Sequence, residues 1–217
     1  MQYLGPMHGA LGNSYYGLGK LETAEKMYKK QLKYAKLSQD QHSISLAYIN
    51  NAQLALLKND FEAAREYNKP TLKIGLETKD ESLLGASYGV SGMIELKSGN
   101  DYKKAVEYFN KSIKSFEKVK NYSWLSYARV GLAASEGYLA NNDPEPFIKR
   151  MKSAIKLCKA KGRIIQLIEG YIILGDFAGN FKQSAEARQI YSDALKLARK
   201  HGMAYFVSLL TKKINNL

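Results

Sequence analysis

Apolar side chains return along this chain at offsets of three and four, the spacing of one face of an α-helix, and short polar breaks separate the stretches. Within them a small residue recurs. Ala24, Ala64, Ala105 and Ala187, with Phe147 standing in the gap, follow one another at intervals of 40, 41, 42 and 40 positions. A fixed period of that size marks stacked supersecondary units. Four positions after these anchors lie Tyr28, Asn68, Phe109, Met151 and Tyr191, and eight after lie Leu32, Leu72, Ile113, Ile155 and Leu195, all on one helical stripe. The last set is apolar throughout and is the strongest single column. Twelve before the anchors stand Gly12, Ala52, Met93, Ser135 and Gly175, and nine before stand Tyr15, Ala55, Leu96, Tyr138 and Ala178, on a second helix.

Turn signals divide the two helices of each unit at Gly19-Lys20, Asn59-Asp60, Gly99-Asn100-Asp101, Asn141-Asn142-Asp143-Pro144 and Gly179-Asn180. Short polar stretches, such as Ser38-Gln39-Asp40 and Lys161-Gly162, join the units. The pattern predicts first helices over 3–18, 42–58, 82–98, 122–140 and 163–178, and second helices over 22–37, 61–77, 102–119, 144–160 and 182–200. A lone final helix is expected over 203–215, with Leu209, Leu210 and Ile214 on one side and Lys212 and Lys213 on the other, as a polar cap for the stack.

The anchors have a steric purpose, because two antiparallel helices cross closely only where one side chain is short. Phe147 breaks the rule, so either unit four packs differently or its register is shifted. Pro70 falls inside a predicted helix, removes a backbone donor and is expected to kink it. A plain bend without function is the simplest account of that kink. Pro144 or Pro146 starts a helix behind Asp143, where proline is tolerated.

At these positions the chain resembles the tetratricopeptide-repeat family. Unit one reads His8-x-x-Leu11-Gly12-x-x-Tyr15, then Gly19, Ala24, Tyr28 and Leu32, and unit five reads Tyr171-x-x-Leu174-Gly175, then Gly179, Ala187, Tyr191, Ala194 and Leu195. Units two and three match through Ala52, Phe61 and Ala64, and through Gly99, Tyr102, Ala105 and Phe109; unit four is weak. The period of about forty, against 34 in the standard unit, is similar to a long-helix branch that includes kinesin light chains, LGN-type polarity adaptors and regulatory domains of bacterial regulators. The resemblance implies an all-α, right-handed α-solenoid of five helical hairpins plus a C-terminal capping helix, spanning residues 1–217 as one domain. It is specific for fold and unspecific for function.

Composition narrows the chemistry. No apolar run approaches the ~18 residues of a membrane span, and no charged-then-apolar leader is present. One cysteine, Cys158, excludes an internal disulfide and reads as a buried, inert thiol; with His8, His42 and His201 scattered, no metal-ligand spacing arises. No cofactor is expected, and the cytoplasm is the expected compartment. Met1-Gln2-Tyr3 enters the first helix without a capping residue and with Pro6 inside it, so a preceding segment is expected in the natural protein.

The net charge is +13. Lys26, Lys29, Lys30, Lys33 and Lys36 crowd one second helix, and Lys149, Arg150, Lys152, Lys156 and Lys159 another. Such a face is either a solvated exterior or a docking surface for an acidic protein, an anionic membrane or nucleic acid. The aromatics fall at packing offsets and form no exposed stacking platform, so no specific nucleic-acid binding is expected.

The resemblance also implies that first helices line an inner groove and that residues 18, 15, 14, 11 and 8 before each anchor point into it. Those residues include Asn13, Tyr16, Asn50, Gln53, Ile94, Lys97, Arg129, Glu136, Glu169 and Asp176. Asn13 and Asn50 correspond to asparagines that family members use to hold an extended peptide, since an amide offers both donor and acceptor; solvation of the groove is the simpler account of them. The carboxylate clamp of the chaperone-binding branch is absent, because the matching positions hold Gly9, Ser87 and Ser91. Glu136, Glu169 and Asp176 are expected to make the far end of the groove acidic and suited to a basic ligand segment. No nucleophile, metal set or phosphate loop accompanies them, so no enzyme is expected.

These residues together predict a non-catalytic scaffold that binds a protein or peptide in its groove. A ligand- or peptide-sensing module of a bacterial transcription regulator is the first alternative. An RNA-binding helical repeat is a second, supported only by charge.

Overall fold

The computed structural model describes residues 3–160 and 164–217, without the side chains of Cys158 and Ala160; the expectations for Met1-Gln2, the Lys161-Gly162 joint and the Cys158 thiol lie outside the described residues. Among the described residues the chain forms eleven α-helices: α1 (Leu4–Gly17), α2 (Leu21–Ser38), α3 (Gln41–Leu57), α4 (Phe61–Thr78), α5 (Glu81–Ser98), α6 (Tyr102–Lys118), α7 (Tyr122–Ala140), α8 (Glu145–Ala160), α9 (Ile164–Asn180), α10 (Ser184–Lys200) and α11 (Ala204–Asn215). Each packs on its chain neighbours, and the odd-numbered helices α1 to α9 also touch one another in succession. They form the inner row of an all-α solenoid.

The punctuation is local chemistry. Asp40, Asp60, Asp80, Asp101 and Asn121 cap α3 to α7, each side chain accepting from backbone N–H groups of the first turn. The residues that close the preceding turns adopt positive φ: Gly19, Gln39, Asn59, Lys79, Gly99, Lys120, Asn141, Lys182 and Gly202. In unit five α9 runs through the predicted Gly179-Asn180 turn, and the chain reverses at Lys182 instead. Helix propagation on an apolar face that includes Phe177 and Ala178 overrides the weak breakers there. Helix α4 runs on through Pro70 from Phe61 to Thr78.

Ala24, Ala64, Ala105 and Ala187 are fully buried at the helix crossings. Unit four solves the same problem the other way round. Phe147 is half-buried with its ring edge-on to Phe177 at 6.5 Å, and Gly137 on α7 supplies the room; a Cβ there would lie 2.4 Å from Phe177 and 3.1 Å from Phe147. The short residue has moved to the partner helix.

The column eight after the anchors is not the deepest. Ile155 and Leu195 are buried, but Leu32, Leu72 and Ile113 are half-buried, whereas the neighbouring Gln31, Thr71 and Ser112 are buried. Each of these polar side chains is satisfied: Gln31 accepts from Asn50 at 2.8 Å, Thr71 donates to the Ser45 carbonyl at 3.3 Å and Ser112 to the Gly85 carbonyl at 2.7 Å. At the far end Phe206 and Leu210 of α11 are fully buried and close the stack.

Candidate functional site

The solenoid curls until its ends meet. The Tyr16 hydroxyl of α1 donates to Glu169 of α9 at 3.1 Å, and the Tyr16 ring stands edge-on to Phe206 of α11 at 6.3 Å. Gly19 lies against Tyr205, with which a Cβ would collide at 2.2 Å. The Tyr205 hydroxyl reaches the Leu57 carbonyl at 3.4 Å. The inner groove is therefore divided by the protein's own side chains into two clefts, and Glu169 lines both.

One cleft, of about 890 Å³, opens along α1 and the N-terminal halves of α3, α5, α7 and α9. Asn13, Tyr16, Asn50 and Gln53 line it. Internal bonds orient both asparagines. Tyr28 donates to Asn13 Oδ1 at 2.8 Å, leaving the Asn13 amide donors toward the cleft, and Asn50 Nδ2 donates to Gln31, leaving Asn50 Oδ1 as an acceptor. A donor and an acceptor on adjacent repeats match the alternating groups of an extended backbone.

The other cleft, of about 740 Å³, lies at the C-terminal ends of α3, α5, α7 and α9, under α11. Lys97, Glu169 and Asp176 line it together with tyrosines from both helix layers. Tyr102 and Tyr138 stack at 4.8 Å, and Asn180 donates to the Tyr138 hydroxyl at 2.8 Å. Burial pushes the Tyr138 hydroxyl up to about 12.

Three expected groove residues lie elsewhere. Ile94 is 1% exposed and belongs to the core, where an apolar side chain gains most by leaving water. Arg129 turns outward to pair with Glu117 of α6 at 3.0 Å, and Glu136 pairs with Arg150 of α8 at 2.5 Å. The acidic far end does not form either. Asp176 accepts from Tyr191 at 2.5 Å and is ion-paired with Lys213 of the closing helix. Glu169 accepts hydrogen bonds from Tyr16 and Tyr127, and burial raises its carboxyl above the ordinary range against the opposing effects of Lys97 and those two bonds.

Lys97 is exposed to solvent within the cleft yet crowded by protein. Its ammonium donates to the Leu56 carbonyl at 2.9 Å. Desolvation pulls its pKa below the ordinary lysine range, with Glu169 and Asp176 opposing that shift and Lys213 reinforcing it. The residues that sequence reasoning missed are Tyr138, Tyr191, Tyr205 and Lys213. One signal for them was present. A tyrosine in place of phenylalanine at the packing position four after an anchor, as at Tyr28 and Tyr191, carries a hydroxyl that must find a polar partner. Both do, on the groove residue 15 positions earlier.

Among the described residues, no group of three or more His, Cys, Asp or Glu side chains could hold a metal ion, and no helix is long and apolar enough to cross a membrane.

Comparison with known proteins agrees with this architecture. The tetratricopeptide-repeat family model matches residues 6–36, 86–118 and 168–201. No curated protein matches the chain. Among solved structures, it is similar to a Signal Transduction ATPase with Numerous Domains that carries a tetratricopeptide-repeat sensor, from Pyrococcus horikoshii, with a TM-score of 0.59 and 17% identity. The match covers 89% of this chain and 30% of that one, so this chain spans less than a third of its neighbour's length. Matched repeats at the start, middle and end of the stack, joined by hairpins of the same build, make this chain a tetratricopeptide-repeat protein.

Proposed function

We propose that the protein is a non-catalytic scaffold that holds an extended peptide segment of a partner in the cleft along α1 and α3. Tetratricopeptide repeats as a class serve protein interaction, and the finer reading is carried by one observation: Asn13 and Asn50 are pre-oriented by Tyr28 and Gln31 as a donor and an acceptor on adjacent repeats. A side chain already held in place loses little entropy on binding, which favours capture of a flexible segment. Recognition through the backbone tolerates many peptide sequences, so selectivity falls to the surrounding Gln53 and Tyr16.

The test uses a phage-displayed library of random peptides selected on the full chain. Peptides should emerge whose binding drops about tenfold in the Asn13→Ala, Asn50→Ala double variant, since each lost hydrogen bond is worth roughly 0.5–1.5 kcal/mol. Selected peptides that bind the folded double variant undiminished would remove this cleft as the site.

A sensor module within a larger regulator is a second reading. It is favoured by the end-to-end contact of Tyr16 with Glu169, which a ligand wedged between the clefts would break. Ligand-dependent separation of probes placed on α1 and α9 would support it, and a fixed distance under all ligands tried would not.

A further inference from the structure

We infer that the cleft beneath α11 is a binding site for a carboxylate that carries an apolar body, with Lys97 as its counter-ion. The site is distinct from the amide-lined cleft and does not depend on that cleft's proposed role. Lys97 is the cation of this cleft that lacks an ion pair: among the described residues its hydrogen-bond partner is the neutral Leu56 carbonyl, whereas Lys213 is already committed to Asp176. An ammonium has three donors, and a carbonyl uses one of them. The remaining donors face a cavity of about 740 Å³, within the range of small-ligand pockets.

Among the described residues no carboxylate is bonded to Lys97. Asp176 is ion-paired with Lys213, and Glu169 is engaged by the hydroxyls of Tyr16 and Tyr127. An ammonium in a concave, protein-crowded cleft gains more from an anion than a fully hydrated surface lysine does. A carboxylate offers two acceptor oxygens to it. The walls specify the rest of the ligand: Ile172, Ile173 and Leu209 are apolar, and the Tyr138 and Tyr205 rings add aromatic surface. The occupant is thus an amphipathic carboxylate. The C-terminus of a peptide ending in an apolar residue and a free organic acid share this chemistry.

Calorimetric titration of the full chain with N-acetyl-leucyl-phenylalanine and with 3-phenylpropionate, each against its terminal amide, tests the site. At least one acid should bind tenfold or more tightly than its amide. Lys97→Gln should abolish that preference and Lys97→Arg should keep it. Binding of the peptide acid alone assigns the site to a chain terminus, and binding of phenylpropionate alone assigns it to a free acid. If Lys97→Gln fails to fold, the acid-against-amide comparison on the unaltered chain still decides. No binding of either acid at millimolar concentration, equal binding of acid and amide, or an acid preference that survives in folded Lys97→Gln would overturn the proposal.

Discussion

The Tyr16 hydroxyl donates to the Glu169 carboxylate at 3.1 Å across 153 positions of sequence, joining the first repeat to the fifth. A solenoid normally makes contacts only between neighbouring repeats. This one adds a long-range contact at the middle of its inner surface, so each half of the groove has its own mouth and its own chemistry.

Removing the clasp's donor should loosen the ends without unfolding the repeats. Tyr16→Phe keeps the ring against Phe206 and deletes one hydrogen bond, a loss of about 0.5–1.5 kcal/mol. Urea denaturation should show a lower midpoint with an unchanged slope, and hydrogen exchange should rise in α1 ahead of α5. Unaltered exchange in α1 would mean that Tyr205 and Phe206 hold the ends without the clasp.

Glu169 makes stability depend on pH in a stated direction. Its folded pKa lies above the ordinary value of 4.5, so the fold favours the protonated carboxyl. That contribution is fully present below the ordinary value and is lost as pH rises through the folded one. Glu169→Gln is neutral throughout. Its melting temperature should exceed that of the unaltered protein at pH 7, and the two should converge near pH 4. A difference that stays constant across that window would show that Glu169 titrates alike in the folded and unfolded chain.

Gly19 should tolerate no side chain. Its φ is +76°, and a Cβ would meet Tyr205 Cβ at 2.2 Å and the Tyr205 backbone nitrogen at 2.4 Å. Backbone cannot swing aside as a side-chain tip can, and the conformation is itself costly for an L-residue, by about 1–3 kcal/mol. Gly19→Ala should lower the melting temperature and enlarge the radius of gyration in solution scattering as α1 and α11 separate. Gly202→Ala is the control, since its φ of +63° adds the same strain with nothing within 4 Å of the added Cβ.

The helix crossings should respond to volume in opposite senses. Ala105→Leu overpacks a fully buried crossing and should cost about 1–3 kcal/mol. Phe147→Ala should cost less than the roughly 3–5 kcal/mol of a fully buried ring, because Phe147 is only half-buried. Thermal denaturation of both variants checks the order; an Ala105→Leu protein as stable as the parent would contradict close packing in unit three.

The elements were legible in the sequence because their causes are local. A capping Asp or Asn near the start of each helix from α3 to α7, a left-handed residue at the turns and an apolar stripe at helical spacing all act within a few residues. Phe147 marked unit four as different for the same reason, as a large residue in a column of alanines. The turn at Gly179-Asn180 was misplaced because those residues permit a break without requiring one, and the packing of Phe177 decided against it.

Depth within a unit was less legible. In units one to three the apolar Leu32, Leu72 and Ile113 proved shallower than the polar Gln31, Thr71 and Ser112 beside them, since a polar side chain can lie deep once a backbone or amide partner is in reach. Only the tertiary structure supplies that partner. It also chose which groove residues face one another. Helical spacing places Glu169, Asp176, Glu136 and Lys97 on inner helices, but the curl of the stack decides their environment. It sends Glu136 to Arg150, lays Lys213 on Asp176, joins Glu169 to Tyr16 and leaves Lys97 facing an open cleft. Sequence periodicity determined the repeat because each unit contacts its neighbour through the same offsets. The division of the groove depended on a small rotation per repeat, summed over five units until the ends met.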